Sequence, residues 1–327
     1  MKLNYTQSSR NVLFAAAAFI SLFALAPAVE ALEIKDAPVD IRNDFVLEPA
    51  KTEVILKPGA KTTRTLSVVN RTDREQLFNI NIEDFEGSRD INQVIVLLGN
   101  DRGPYSLKDF IKPEVKSFKL KPKQRAILQV TIAIPEDAEP GGRYASVLVS
   151  TAATTGAPNE DESKAKTISR LGALYFVRVE GKVNEDGKLA DFRLAGGKKS
   201  FYEKGPFNFE LLFENNSSVH LTPSGRVEIK NMLGKKVKEL DIIPFFSMPS
   251  SLRAAQVVWS GDLAFGRYTA TAYIDRGYKE SPDVTDVQSI TFWVLPWKIM
   301  AGLAVATILV LIVLRTIYRS FEIKRKK

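Results

Sequence analysis

The chain contains no cysteine. That excludes disulfides, thiol catalysis, iron–sulfur clusters and thiolate zinc sites. It contains a single histidine, His220, so neither the H-E-x-x-H motif nor a multi-histidine metal centre is available. A Ser–His–Asp triad has only His220 to draw on, within Ser218-Val-His-Leu-Thr-Pro223, and no G-x-S-x-G elbow accompanies it. A place in a polar turn or at a strand edge is the expectation for this residue. Phosphate-binding loops and dinucleotide fingerprints are also missing. No catalytic residue, metal site or cofactor is expected, and the chain is not read as an enzyme.

Charge of one sign is scarcer than the totals suggest. The net charge is +8 over 327 residues. Two basic residues, Lys2 and Arg10, precede the first apolar run, and seven lie from Lys298 onward. That leaves 37 basic against 36 acidic residues between positions 32 and 297. The basicity belongs to the two ends, so nucleic acid is not an expected partner. A hydrophobic share of 45% with 26% charged residues is that of a globular chain, and the length suits two domains.

Carboxylates leave no decisive pattern. Glu83-Asp84, Asp90, Glu136-Asp137 and Glu160-Asp-Glu162 lack the Asp/Asn/Gly spacing of a calcium loop. Solvated turns and strand ends account for them.

The ends carry targeting signals. Lys2 and Arg10 are followed by an apolar stretch from Val12 to Ala26 and by small residues around Ala28 and Ala31, the order of a secretory signal peptide over residues 1–31 with cleavage after Ala28 or Ala31. Ile299 to Leu314 carries no charge, and with its flanks rises about 33 Å at roughly 1.5 Å per residue, enough to cross a bilayer. The expected transmembrane helix is 297–318, with Trp297 and Tyr318 at the headgroup boundaries and Lys298 and Arg315 snorkelling from its ends. The basic tail 319–327 is assigned to the cytoplasm, which puts the rest of the chain outside a cell membrane crossed once.

Between the ends, Pro, Gly and Asn punctuate short runs rich in Val, Ile, Phe and Thr, such as Thr63–Val69, Ile127–Ile134 and Tyr268–Ile274. This spacing predicts an all-β chain of two tandem immunoglobulin-like sandwiches, at 38–181 and 184–296, joined at Asn184-Glu-Asp-Gly187. Residues 151–166 read as a long exposed loop of the first sandwich or as the interdomain linker. Ser106–Ile111 reads as a short helix, with Ser106 and Asp109 at capping spacing.

Two signatures recur. Gly59 precedes Asn70-Arg-Thr72 by eleven residues, as Gly205 precedes Asn216-Ser-Ser218, and Gly142-Arg-Tyr144 returns as Gly266-Arg-Tyr268. Both suggest duplication, with Tyr144 and Tyr268 as tyrosine corners tying each sandwich's own backbone.

Three stretches are candidate binding features. Lys119, Lys121, Lys123 and Arg125 flank a proline turn and form either a solvated hairpin or a polyanion patch. Lys230, Lys235, Lys236 and Lys238 surround Met232-Leu-Gly234 in the same way. The run Leu171–Val179 is apolar on both faces, with Leu171, Ala173, Tyr175 and Val177 on one and Leu174 and Phe176 on the other. Burial against the second domain explains this, or an edge that accepts a partner's strand.

At Lys57-Pro-Gly59, Leu66-Ser-Val-Val-Asn70 and Ile134-Pro-Glu-Asp-Ala-Glu-Pro-Gly-Gly-Arg-Tyr144 the chain resembles bacterial membrane-anchored surface proteins of the WxL-interacting family and pilus-chaperone-like (PapD-like) sandwiches. The resemblance implies binding to cell-wall polymer or to another envelope or surface protein, as an adhesin or scaffold, without catalysis. A membrane-tethered assembly chaperone acting by strand addition is the alternative.

Overall fold

A computed structural model describes residues 32–151, 168–196, 201–261, 265–279, 284–295 and 297–325. The expected signal peptide, and all of the 151–166 segment except Thr151, lie outside the described residues. Eleven strands build the first sandwich: β1 (Glu33–Asp36), β2 (Phe45–Glu48), β3 (Lys51–Leu56), β4 (Lys61–Asn70), β5 (Gln76–Gly87), β6 (Ile95–Leu97), β7 (Ile111–Pro113), β8 (Ser117–Leu120), β9 (Gln124–Ala133), β10 (Gly141–Thr151) and β11 (Arg170–Val179). One sheet runs β1-β9-β4-β2, with β7 also on β9; the other runs β3-β11-β10-β5-β6, with β8 also on β5. Strict alternation drives this. In β3 Thr52, Val54 and Leu56 point inward while Lys51, Glu53 and Ile55 face solvent, the period of a half-buried strand. Leu66, Val68, Leu128, Val130, Val147, Val149, Tyr175 and Val177 meet in the core between the sheets.

The second sandwich follows with β12 (Gly187–Leu194), β13 (Phe201–Tyr202), β14 (Phe207–Asn215), β15 (Ser224–Asn231), β16 (Lys236–Ile242), β17 (Ser251–Trp259), β18 (Gly266–Asp275) and β19 (Thr285–Val294). Its sheets are β12-β14-β17 and β13-β19-β18-β15-β16. Phe192, Phe207, Phe209, Phe213 and Phe292 fill the space between them. Among the described residues one helix, α1 (Trp297–Arg325), leaves the end of β19. Its segment Met300–Arg319 is long and apolar enough to cross a membrane, and the rest of the described chain covers none of it.

Several expectations need correction. The first sheet starts at Glu33, because β1 pairs with β9, ahead of the expected boundary at 38. Ser106–Ile111 is no helix: Ser106 bridges to Tyr144 and β7 begins at Ile111. The carboxylate of Asp84 takes the N–H groups of Leu107 and Lys108 at 3.1 and 3.0 Å. Asp109 goes to Arg102 instead of capping, so only one turn forms.

The repeats also differ from their sequence alignment. Buried Asn70, at the end of β4, donates to the carbonyls of Arg74 and Leu120 and accepts from the backbone and hydroxyl of Thr72. In the second sandwich Asn215 at the end of β14 does the same, donating to Val219 and Ser247 and accepting from both groups of Ser217. The counterpart of Asn70 is therefore Asn215, not Asn216. Asn-x-Ser fits both positions, and only burial separates them. Likewise Gly141 pairs with Val179, the last residue of β11, and Gly266 pairs with Val294, the last of β19. Gly141 thus matches Gly266, and the two Gly-Arg-Tyr runs are out of step by one residue. A slip of one residue flips the face: Tyr268 points into the second core, whereas Tyr144 points out of the first sandwich.

Candidate functional site

The two sandwiches meet across a closed aromatic joint. Phe85, Tyr144 and Phe176 from the first sandwich pack with Met248 and Phe246 from the second. Phe176 and Phe246 are edge to face at 5.3 Å, a favoured ring geometry. Gly142 N–H donates to Ser218 O at 2.9 Å and Leu252 N–H to Ser88 O at 3.0 Å, so backbone as well as side chains bridge the domains. Gly87 lets them approach: a side-chain carbon there would lie 2.5 Å from Cβ of Ser251 and 2.6 Å from Cβ of Met248.

Tyr144 does not act as a corner of its own sandwich. Its hydroxyl oxygen accepts the N–H of His220 at 2.6 Å and lies 3.3 Å from His220 Nδ1. Burial pushes the phenol's pKa far up, so it stays protonated. His220 follows the bend at 217–219 and precedes the bridge of Leu221 to Ser247, the turn or strand-edge place expected of it, but it is buried in the joint instead of facing solvent. Burial lowers its pKa to about 4, against the opposing pull of Glu53 and with the help of Lys51, Lys279 and Arg178. It is neutral at physiological pH, and Glu53 is 4.0 Å away. Its hydroxyl neighbour is the protonated Tyr144 phenol, and no cluster of metal-ligating side chains occurs among the described residues.

The candidate strand 171–177 divides into two parts. From Leu174 to Val179, β11 is flanked on both sides, by β10 and by β3 in parallel register. Ala173, Tyr175 and Val177 are buried in the first core, and Phe176 and Leu174 face the joint. This stretch offers no free edge, and its second apolar face is explained by the second sandwich. From Ser169 to Ala173 the situation differs. β10 lies on one side, and no strand lies on the other among the described residues. Leu174 N–H goes outward to Ala50 O, and Ser169 O goes inward to Thr151 N–H. Even-numbered residues therefore aim their backbone polar groups away from β10, so Arg170 and Gly172 present an open ladder beside exposed Ile168 and Leu171.

The polyanion candidates do not converge. Lys119 lies on β8 in one sheet and Arg125 on β9 in the other, so the turn is a corner between sheets and not a hairpin. Lys119 sits 3.8 Å from Glu75, Lys121 and Lys123 are exposed, and Arg125 is half-buried. Among the carboxylates, Glu83 pairs with Arg170 and Asp84 holds the 107–108 turn, while Glu136 and Asp137 are exposed. Glu160-Asp-Glu162 lies outside the described residues. Sequence reasoning missed the Tyr144–His220 bond, because no periodicity links residues of two domains.

No family profile matches the chain, and no curated protein is significantly similar to it. Among solved structures it is similar to the class 5 fimbriae chaperone CfaA, at 10% identity over 77% of this chain and 100% of that one with a TM-score of 0.38. It is similar to the E. coli chaperone DraB at 16% identity, 77% and 96% coverage and a TM-score of 0.32. The Pseudomonas aeruginosa CupB2 chaperone follows at 12%, 74% and 97%, and 0.31. Superpositions this loose carry no functional information. Two β-sandwiches closed on each other, with a half-strand at one edge and an apolar helix at the far end that no other described residues cover, are what the chain itself presents.

Proposed function

We propose that the protein is a non-enzymatic, membrane-tethered binding protein that captures an extended segment of a second envelope protein by strand addition. The observation that carries this reading is the open ladder at Arg170 and Gly172. Unpaired backbone groups on a sheet edge form hydrogen bonds with any extended chain laid beside them. Ile168 and Leu171, exposed next to that ladder, supply apolar contacts for alternate side chains of the guest. The added strand would run up to the point where β3 takes over at Lys51. Helix α1 supports the tether: no other described residues cover its apolar segment, and the bilayer is the solvent that matches it. An assembly chaperone and a surface scaffold both use such an edge.

A photoreactive residue in place of Leu171 tests the reading in membranes of cells carrying the full chain. It should crosslink one or a few envelope proteins, and the same probe at exposed Ile243 on the other sandwich should not. Equal labelling from both positions, or none from Leu171, would overturn it.

A further inference from the structure

The β15–β16 hairpin ends in Met232-Leu-Gly234, and its tip is apolar where water would favour polar residues. Leu233 is 85% exposed and Met232 59%. The register fixes where this tip lies. Asn231 pairs with Tyr268 and Gly266 with Val294, so the hairpin points toward the end of the sandwich from which α1 departs. The Met232 methyl is 3.4 Å from where a side-chain carbon on Gly266 would sit. Phe201, 61% exposed and paired with Trp293, and Phe265, 54% exposed and next to Gly266, share that end. The root of the helix is held there: Leu295 N–H donates to Tyr202 O at 2.7 Å, and Lys298 pairs with Glu203 at 3.2 Å.

Cations share this end of the sandwich. Lys230 and Lys236 are partly neutralised by Glu228 and Glu239, but Lys204, Lys235 and Arg267 have no carboxylate partner among the described residues. A soluble polyanion would account for the cations alone. Exposed Met, Leu and Phe side chains interleaved with Lys and Arg fit the headgroup layer, where apolar groups reach the acyl boundary and ammonium groups meet lipid phosphates.

From this we propose that the helix-proximal end of the second sandwich docks on the bilayer, with Met232 and Leu233 inserted into the headgroup region and the surrounding Lys and Arg residues on anionic lipid. The proposal rests on the reading that α1 crosses a membrane. Docking at a second point beside the helix would hold the ectodomain at a defined tilt, and so set the height and direction at which the β11 edge is presented.

Because the chain has no cysteine, one introduced thiol carries one spin label. The full chain is reconstituted into vesicles of phosphatidylcholine and phosphatidylglycerol with labels at Leu233→Cys, Leu309→Cys or Lys119→Cys. Collision rates are then read with oxygen and with a water-soluble nickel chelate. Leu309 reports the acyl core and Lys119 bulk water. The expected result is that the Leu233 label collides several-fold less with the chelate and several-fold more with oxygen than the Lys119 label, and that pure phosphatidylcholine shrinks the difference. A Leu233 label as aqueous as Lys119, with Leu309 protected, would overturn the docking and leave the span intact. An aqueous Leu309 would overturn the span itself. Spin–spin broadening at Leu233 that vanishes on dilution with unlabelled chain would overturn docking in favour of contact with a second copy.

Discussion

The hydroxyl oxygen of Tyr144 accepts the backbone N–H of His220 at 2.6 Å, across the joint between the two sandwiches. The donor is buried, and among the described residues the Tyr144 hydroxyl is its acceptor. Tyr144→Phe keeps the ring in its cluster with Phe85 and Phe176 but leaves this N–H unsatisfied, a loss of about 1–3 kcal/mol. The loss should appear at the joint and not in the first core. The expected outcome is faster amide exchange at His220 and Leu221, with exchange of β4 and β9 amides unchanged. Uniformly faster exchange through the first sandwich would mean that the hydroxyl serves its own domain after all.

His220 makes the same joint pH-sensitive. Its pKa in the folded protein is about 4, against about 6.5 in an unfolded chain. Between those values the unfolded state binds more protons, so stability rises with pH through this window. It is full above about pH 6.5 and is lost as pH falls toward 4, at about 1.4 kcal/mol per pH unit. Denaturation midpoints measured from pH 7 to pH 4 should fall for the native chain. In His220→Gln, which cannot titrate, that part of the slope should disappear. An equal slope in both chains would assign the pH dependence to carboxylates elsewhere.

Much of the fold was legible because alternation is a local signal. Lys51–Leu56 and Gln124–Ala133 show their buried parity in the sequence itself. What failed was register between non-local partners. Gly-Arg-Tyr reads identically at 142–144 and 266–268, yet a one-residue offset against β11 and β19 sends the two tyrosines to opposite faces. Asn215 and Asn216 are equally good by spacing, and only burial at the end of β14 selects Asn215. The edge was legible in part: the two-sided apolar character of 171–179 was visible, but β3 covers its C-terminal half through a parallel pairing between residues about 120 positions apart in the chain.

Gly87 tests how closely the joint is packed. Gly87→Ala would place a methyl 2.5–2.6 Å from Ser251 and Met248, both of them buried. The domains must then separate or shift, at a cost of about 1–3 kcal/mol for an overpacked interior. A lowered melting temperature is expected, together with protease cleavage between Val179 and Gly187 that the native chain resists. A stability equal to that of the native chain would show that the sandwiches already move freely against each other.

The open ladder predicts an effect that depends on the parity of a proline substitution along β11. Gly172 points its N–H outward but is a poor site, because a side-chain carbon there would sit 2.6 Å from Ser146 Oγ. Arg170 has the same parity, is exposed, and gives up only a surface pair with Glu83. Such pairs contribute about 0–1 kcal/mol. Arg170→Pro removes an outward donor without touching the bonds to β10, so the fold should persist while capture of a guest strand fails. Arg170→Ala, which keeps the N–H, should retain capture and separates the effect of the backbone from that of the side chain. Ala173 faces the other way, paired with Val147 and fully buried. Ala173→Pro breaks a ladder bond inside the sheet and leaves a carbonyl unsatisfied, a loss of about 1–3 kcal/mol before any steric cost, so circular dichroism and melting should both change. The measurement is retention of envelope proteins by each full-length variant, beside its melting curve. Selective loss of capture in Arg170→Pro alone is the signature of strand addition. Retained capture in that variant would mean that partners are held elsewhere, because no side chain can replace the missing donor.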